Sequence, residues 1–318
     1  MTGPTETASP FRCLGLDLGG TSTKWVVVDR AGDSWRVVDR GQVATPLHDG
    51  EAAILGRLVE VGRAATERWP GVAIAGVGVP GLYDPAAGTA RFFVNFPGGW
   101  HGTPVAGPVG AALGLPCVLV NDARAFGLAE LRLGAGRAAR TMVGLTLGTG
   151  VGGVIAVDGR VHQGHDGTAG ELGHQTIEPD GPWCGCGNRG CLESFTRADQ
   201  IAAACGTATA EDAVLRAQAG DQRARDGLAE VGRYLGIGIA NMITVITPER
   251  VVIGGGVAAA GELLFDPIRA EVARRVKTTS LDEVEIVPAE LGTWAGAIGA
   301  AIHGAESVAI APVADPVA

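Results

Sequence analysis

Cys13-Leu-Gly-Leu-Asp17-Leu18, then Gly19-Gly20-Thr21, then Trp25-Val-Val-Val28 ending at Asp29, reads as an apolar strand, a Gly-rich turn and a second apolar strand. The same plan recurs at Met142-Val-Gly-Leu-Thr-Leu147, Gly148-Thr149-Gly150 and Val151-Gly-Gly-Val-Ile-Ala-Val157. Two hairpins with glycine tips point to a duplicated architecture, one copy per domain. Between them, an amphipathic helix near 51–68 is stopped by Trp69-Pro70-Gly71, and a buried strand Val72 to Val79 ends at Pro80-Gly81. A helix from Val105 to Leu113 and a strand from Cys117 to Val120 follow, the strand delivering Asn121-Asp122 at its C-terminal end. Helices are expected near 192–205, 211–219 and 221–246, the last ended by Pro248. A strand over 250–253, a helix from Gly256 to about Arg275, a strand over 284–287 and a helix over 295–303 complete the chain. This alternation predicts α/β domains with mixed sheets covered by helices, and ligands beyond the strand C-termini in a cleft between the halves.

The 318 residues suffice for two domains, and 46% apolar content with 51 glycines fits buried strands joined by tight turns. A net charge of −9 argues against nucleic acid or an anionic membrane as partner. The longest charge-free stretch, 92–121, carries Pro97, Pro104, Pro108 and Pro116 and cannot span a bilayer as one helix. No secretory signal precedes the first strand, and Cys13, Cys117 and Cys205 lie in apolar surroundings, so reduced thiols and a cytoplasmic location are expected.

Between Gly170 and Glu193 stand Glu171-Leu-Gly-His174 and Cys184-Gly-Cys186-Gly-Asn-Arg-Gly-Cys191-Leu-Glu193. One imidazole and three thiols at this spacing read as a Cys₃His zinc site. Four protein ligands leave no open position, so the ion is expected to be structural and to hold the neighbouring carboxylates Glu171 and Glu193 in place.

Glycine turns bring backbone N–H groups close to a phosphate. Gly19-Gly20-Thr21, Gly148-Thr149-Gly150 and Gly254-Gly255-Gly256 each stand beside an apolar strand, which favours a nucleotide lying across the cleft. None fits the P-loop pattern. Lys24, one of only two lysines, either adds charge to a phosphate or lies on a solvated strand edge. Asp17 either holds Mg²⁺ through water or caps its turn.

Asp17-Leu-Gly-Gly-Thr21, Gly76-Val-Gly-Val-Pro-Gly81, Asn121-Asp122-Ala, Leu147-Gly-Thr-Gly-Val-Gly-Gly153, Glu171-Leu-Gly-His174, the cysteine loop and Ile253-Gly-Gly-Gly-Val257 together resemble the repressor, open-reading-frame and kinase (ROK) family of sugar kinases. The resemblance runs from about Cys13 to His303, and bacterial glucokinases are the nearest subgroup. It implies a two-lobed actin-like, ribonuclease-H-like ATPase fold: a small lobe 11–121 completed by a helix 295–304, a large lobe 122–294 with a zinc loop 171–193, and a flexible tail 305–318. It implies transfer of phosphate from ATP to a hexose 6-hydroxyl, with Asp122 as general base. Asn95, Asn121, Glu171, His174 and Glu193 would hold the sugar hydroxyls, His174 also ligating zinc. A homodimer or homotetramer is the family default.

The chain departs from that pattern at Arg124, where the family commonly has Asn, and in Asn95-Phe-Pro-Gly-Gly-Trp100, one glycine longer than usual. Ser-Phe-Thr-Arg197 after Glu193 and Val154 also differ. These changes bear on the sugar, and an amino sugar or C7-cyclitol fits nearly as well as glucose. A sugar-responsive repressor would need a helix-turn-helix, and only about a dozen residues precede the first strand. A non-catalytic sugar- or nucleotide-binding protein is the remaining alternative.

Overall fold

The computed structural model describes residues 10–93 and 96–310. The chain divides into two compact units, one running to Ala125 and resuming at Trp294, the other Phe126–Thr293. The first holds β1 (Phe11–Leu18), β2 (Ser22–Ala31), β3 (Ser34–Ala44), α1 (Glu51–Arg68) and β4 (Val72–Val79). A small hairpin of β5 (Leu82–Asp84) and β6 (Thr89–Phe92) follows, then α2 (Ala106–Leu113), β7 (Cys117–Asn121) and the first turn of α3 (Asp122–Leu133). Its sheet has the order β3-β2-β1-β4-β7, β1 pairing antiparallel with β2 and parallel with β4, and β4 parallel with β7. Alternate residues of β1 serve opposite faces. Leu14 and Leu16 pack with Ile54 and Leu58 of α1. Gly15 and Gly76 face the C-terminal helix α9 (Ala295–Ile310), where a β-carbon would run into the carbonyl oxygens of Ala297 and Ala300 respectively.

The second unit holds the rest of α3, then β8 (Met142–Leu147), β9 (Val151–Val157), β10 (Arg160–Val161) and α4 (Glu193–Thr196). It continues with α5 (Ala198–Cys205), α6 (Ala210–Gln218), α7 (Gln222–Ile246), β11 (Arg250–Gly254), α8 (Glu262–Arg275) and β12 (Glu285–Pro288). The order β10-β9-β8-β11-β12 repeats the first sheet, with an antiparallel hairpin followed by parallel strands. Val143 and Leu145 join Leu228, Leu235 and Ile239 of α7 in one core. On the opposite face, Gly144 lies against Val154 and Phe126.

Several expectations need correction. The first unit extends to Ala125, past Asn121, because the opening turn of α3 packs on α9: a β-carbon at Gly299 would collide with the Ala125 carbonyl. The helix expected over 192–205 is broken at Arg197, whose extended backbone lets Ala198 N–H donate to Gly148 O at 2.8 Å. The helix expected from Gly256 is a short turn over 256–260 and then α8, parted by Gly261 at φ 59°. The tail expected from 305 is helical through Ile310, with Ala305 buried, and 311–318 lie outside the described residues. No helix among the described residues is long and apolar enough to cross a membrane.

Candidate active site

In the first unit, β7 ends at Asn121, beside Val79 of β4, and α3 begins at Asp122. Asn121 is 6% exposed and acts as the helix cap. Its Oδ1 accepts from the backbone N–H groups of Ala123 (3.1 Å) and Arg124 (3.2 Å). Its Nδ2 donates to Gly81 O (3.2 Å) and to Asp122 Oδ1 (3.1 Å). The Pro80-Gly81 turn, at φ +95° for Gly81, therefore helps to aim Asn121. These contacts occupy the amide's two N–H groups and both lone pairs, so Asn121 caps α3 and holds the Asp122 side chain. Asp122 is exposed, and its Oδ1 also accepts Ala123 N–H at 2.8 Å.

Asp17 is the penultimate residue of β1, opposite Lys24, with Nζ 3.8 Å from Asp17 Oδ2. A β-carbon at Gly296, in the first turn of α9, would stand 2.9 Å from the Asp17 carboxyl carbon. The carboxyl lies above its usual range because it is buried, with Lys24 partly offsetting the shift. Lys24 is thus paired with Asp17 rather than placed on a solvated edge.

The first Gly-rich turn is braced by two side chains that the sequence reading missed. Thr45 Oγ1 donates to Gly19 O (2.7 Å), and Thr23 and Thr45 hydroxyls lie 2.9 Å apart. Gly19 N–H donates to Ser22 O at 3.2 Å, while a β-carbon at Gly20 would meet nothing within 4 Å.

In the second unit Gly148 N–H closes its turn on Gly150 O at 2.9 Å, and Gly148 and Thr149 are exposed. The glycines at 254–256 divide differently. Gly254 makes room for Phe126, and at Gly255, with φ +97°, a β-carbon would run into Leu147 O. Only Gly256 is nearly open. Two of the three thus have packing reasons.

The cysteine knuckle comes together as the spacing predicts. One ligand atom from each of His174, Cys184, Cys186 and Cys191 lies within 4.8 Å of the others. Cys184 Sγ is 3.6 Å from His174 Nδ1, and Cys186 Sγ is 3.7 Å from Cys191 Sγ. Zinc bonds of about 2.3 Å to sulfur and about 2.0 Å to nitrogen at tetrahedral angles require separations of about 3.8 and 3.5 Å, so the donor set fits. Asn188 Nδ2 points at Cys191 Sγ (3.7 Å), a donor suited to a thiolate. Gly190, at φ +65°, lies under the carbonyl of Glu178. Glu171 is exposed just before the turn Leu172–His174. Glu193 Oε2 accepts Val151 N–H at 2.8 Å. Asn95 lies outside the described residues.

The model of the ROK family matches residues 13–305. The glucokinase of Thermotoga maritima is 35% identical over 312 residues, covering 92% of this chain and 96% of that protein. The ROK hexokinase structure from Thermus thermophilus superposes with TM-score 0.79 at 34% identity, over 94% of this chain and 99% of that one. The ROK glucokinase of Streptomyces griseus in complex with glucose and AMPPNP gives TM-score 0.79 at 31% identity, over 93% and 99%.

Proposed function

This chain belongs to the ROK family and is a sugar kinase, and from that premise we propose that it transfers the γ-phosphoryl group of ATP to the 6-hydroxyl of a hexose, with Asp122 as general base. The observation that carries the reading is the Asn121 cap. It holds an exposed carboxylate at a strand end in one orientation, at a helix N-terminus that favours its charge. Phosphoryl transfer asks mainly for an aligned nucleophile and stabilised charge, and such a carboxylate takes the hydroxyl proton as the oxygen attacks. The Streptomyces griseus complex supports a hexose and an ATP-like donor.

Asn95, Glu171, His174 and Glu193 are assigned to the other sugar hydroxyls. His174, Cys184, Cys186 and Cys191 would hold Zn²⁺, whose contribution is structural: it fixes the knuckle. With Nδ1 facing Cys184, the Nε2–H of His174 is left to donate to a sugar oxygen. The turns Gly19-Gly20-Thr21 and Gly148-Thr149-Gly150, apart from the Gly19 and Gly148 N–H groups that close them, are assigned to the phosphates, and Asp17 is the residue suited to Mg²⁺ through water. A cytoplasmic location accords with the free thiols of buried Cys13 and half-buried Cys117, which burial pushes up to about 12. A homodimer or homotetramer is the assembly proposed, on the resemblance to the family.

The test is ATP-coupled phosphorylation over glucose, mannose, fructose, amino sugars and cyclitols, with Asp122→Asn alongside. Turnover on a hexose is expected, falling about 10²–10⁴-fold in Asp122→Asn with sugar affinity kept. Preference for an amino sugar or cyclitol would change the substrate. Sugar binding without turnover would make the chain a regulator.

A further inference from the structure

The Gly148-Thr149-Gly150 turn and the cysteine knuckle are joined through one carboxylate. Glu193 Oε2 accepts the backbone N–H of Val151, the first residue after the turn, at 2.8 Å. A β-carbon at Gly150 would stand 2.6 Å from that same oxygen, so the missing side chain at Gly150 makes room for Glu193. At Gly148 a β-carbon would meet nothing within 4 Å. The two glycines therefore do different work: Gly148 leaves its side of the turn open, and Gly150 admits a carboxylate. On its other side Glu193 Oε1 lies 3.6 Å from Cys184 Sγ, and Glu193 follows Cys191 by two residues. A second tie comes from Ala198 N–H, which donates to Gly148 O at 2.8 Å.

We propose that Glu193 is a positioning residue for the nucleotide-side turn, its carboxylate anchoring Val151 N–H to the metal-binding knuckle so that nucleotide affinity depends on the knuckle. The inference rests on the reading of Gly148-Thr149-Gly150 as a phosphate-binding turn. An exposed Gly-Thr-Gly turn that must be ordered on binding loses affinity, and a charge-assisted hydrogen bond to the adjoining N–H orders it beforehand. The knuckle then serves both substrates. A purely sugar-holding Glu193 would leave nucleotide binding untouched when no sugar is present.

The experiment is calorimetric titration of the zinc-loaded protein with a non-hydrolysable ATP analogue in the absence of sugar. Glu193→Ala is expected to weaken the analogue about 10-fold. Glu193→Gln, whose side-chain carbonyl can still accept from Val151 N–H, should restore most of that affinity. Gly150→Ala pushes the carboxylate aside while leaving the imidazole and all three thiols in place, so it should match Glu193→Ala with zinc content unchanged. Chelating the metal from the wild type should weaken the analogue as well. Wild-type affinity in Glu193→Ala and Gly150→Ala at full zinc content would overturn the proposal. Gly148→Glu separates the two levels, because it puts a negative charge in the open side of the turn. If it leaves the analogue's affinity unchanged, the phosphate reading of the turn fails; if it weakens binding while the Glu193 and Gly150 variants do not, only the link fails.

Discussion

Replacing Asn121 by Asp keeps the helix cap and changes the charge next to the base. An aspartate at 121 still offers an oxygen to the N–H groups of Ala123 and Arg124. It forfeits the hydrogen bond to Gly81 O, worth about 0.5–1.5 kcal/mol, and gains a negative charge at the N-terminus of α3, worth about 0.3–1 kcal/mol. These nearly cancel, so the change in stability is set by the new charge beside Asp122, which should lower the melting temperature at pH 7 and less so at acid pH. The electrostatics do not cancel. The atom 3.1 Å from Asp122 Oδ1 becomes a carboxylate oxygen in place of an N–H donor. Two unit charges about 3 Å apart repel by about 1.4 kcal/mol at the dielectric of water and about 5 kcal/mol at an effective value of 20. At 1.36 kcal/mol per pH unit that is about 1–4 units, and the exposure of Asp122 favours the lower half. The pair then titrates as one system with its upper step raised. Because the base must be deprotonated, the acid limb of the kcat/KM profile should move up by about 1–2 pH units. The assay is coupled ADP release from pH 5 to 9 on both proteins, with thermal unfolding as the folding control. Superimposable acid limbs in a folded variant would refute the role of Asn121 as the group that holds the base. Lost sugar affinity at every pH would put the amide on the sugar itself.

Asp17→Asn should raise the melting temperature at pH 7 while abolishing turnover. The folded carboxyl binds its proton more tightly than the unfolded one, so ionised Asp17 costs stability as pH rises past about 4; a lower melting temperature at pH 7 would count against this. Glu271 is the opposite case, held at about 2 by its hydrogen bond to Arg274, against the effect of burial, and by Arg275. Its contribution is present above the unfolded value near 4.3 and is lost as pH falls toward 2. Denaturant unfolding at pH 6 and pH 3 should therefore show a larger drop for wild type than for Glu271→Gln. Gly76→Ala should cost about 1–3 kcal/mol or more by driving α9 off the sheet, read as a fall in melting temperature; an unchanged value would mean that α9 yields freely.

The hairpins were legible because apolar strands flanking glycine leave few alternatives, and their repetition became two sheets of one strand order. β3 escaped notice for a physical reason: it is a sheet-edge strand, half exposed, and Ser34-Trp-Arg-Val-Val-Asp-Arg carries no apolar run. The break at Arg197 has no local signal, since neither Pro nor Gly stands there; a long-range bond from Ala198 to Gly148 makes it. The last helix runs past the expected 303 through Gly304, which sits against Ile74 and Ala75, where a small residue packs the helix on β4. The four knuckle ligands could be found from spacing because short loops between soft donors constrain geometry tightly. Asn121 could have been read as a cap, since an Asn at a strand end before Asp-Ala begins a helix in the ordinary way.

The duplicated turns are held by different chemistry, and that difference sets what each one responds to. In the first unit, hydroxyls brace the turn through its carbonyl: Thr45 donates to Gly19 O and is backed by Thr23, both groups being buried. Neither hydroxyl titrates near neutral pH or ligates a metal, so this turn is fixed whenever β2 and β3 are paired. In the second unit a carboxylate braces the turn through an N–H, and the carboxylate arrives from the first residue of α4, just after the knuckle and outside the sheet. Sheet pairing alone does not place Glu193; the knuckle must be closed as well. Removing the metal should thus leave the Gly19-Gly20-Thr21 turn ordered and loosen only the Gly148-Thr149-Gly150 turn. Amide hydrogen exchange distinguishes them: after chelation, protection at Val151 should fall while protection at Thr45, whose N–H donates to Thr21 O at 3.0 Å, stays as it was.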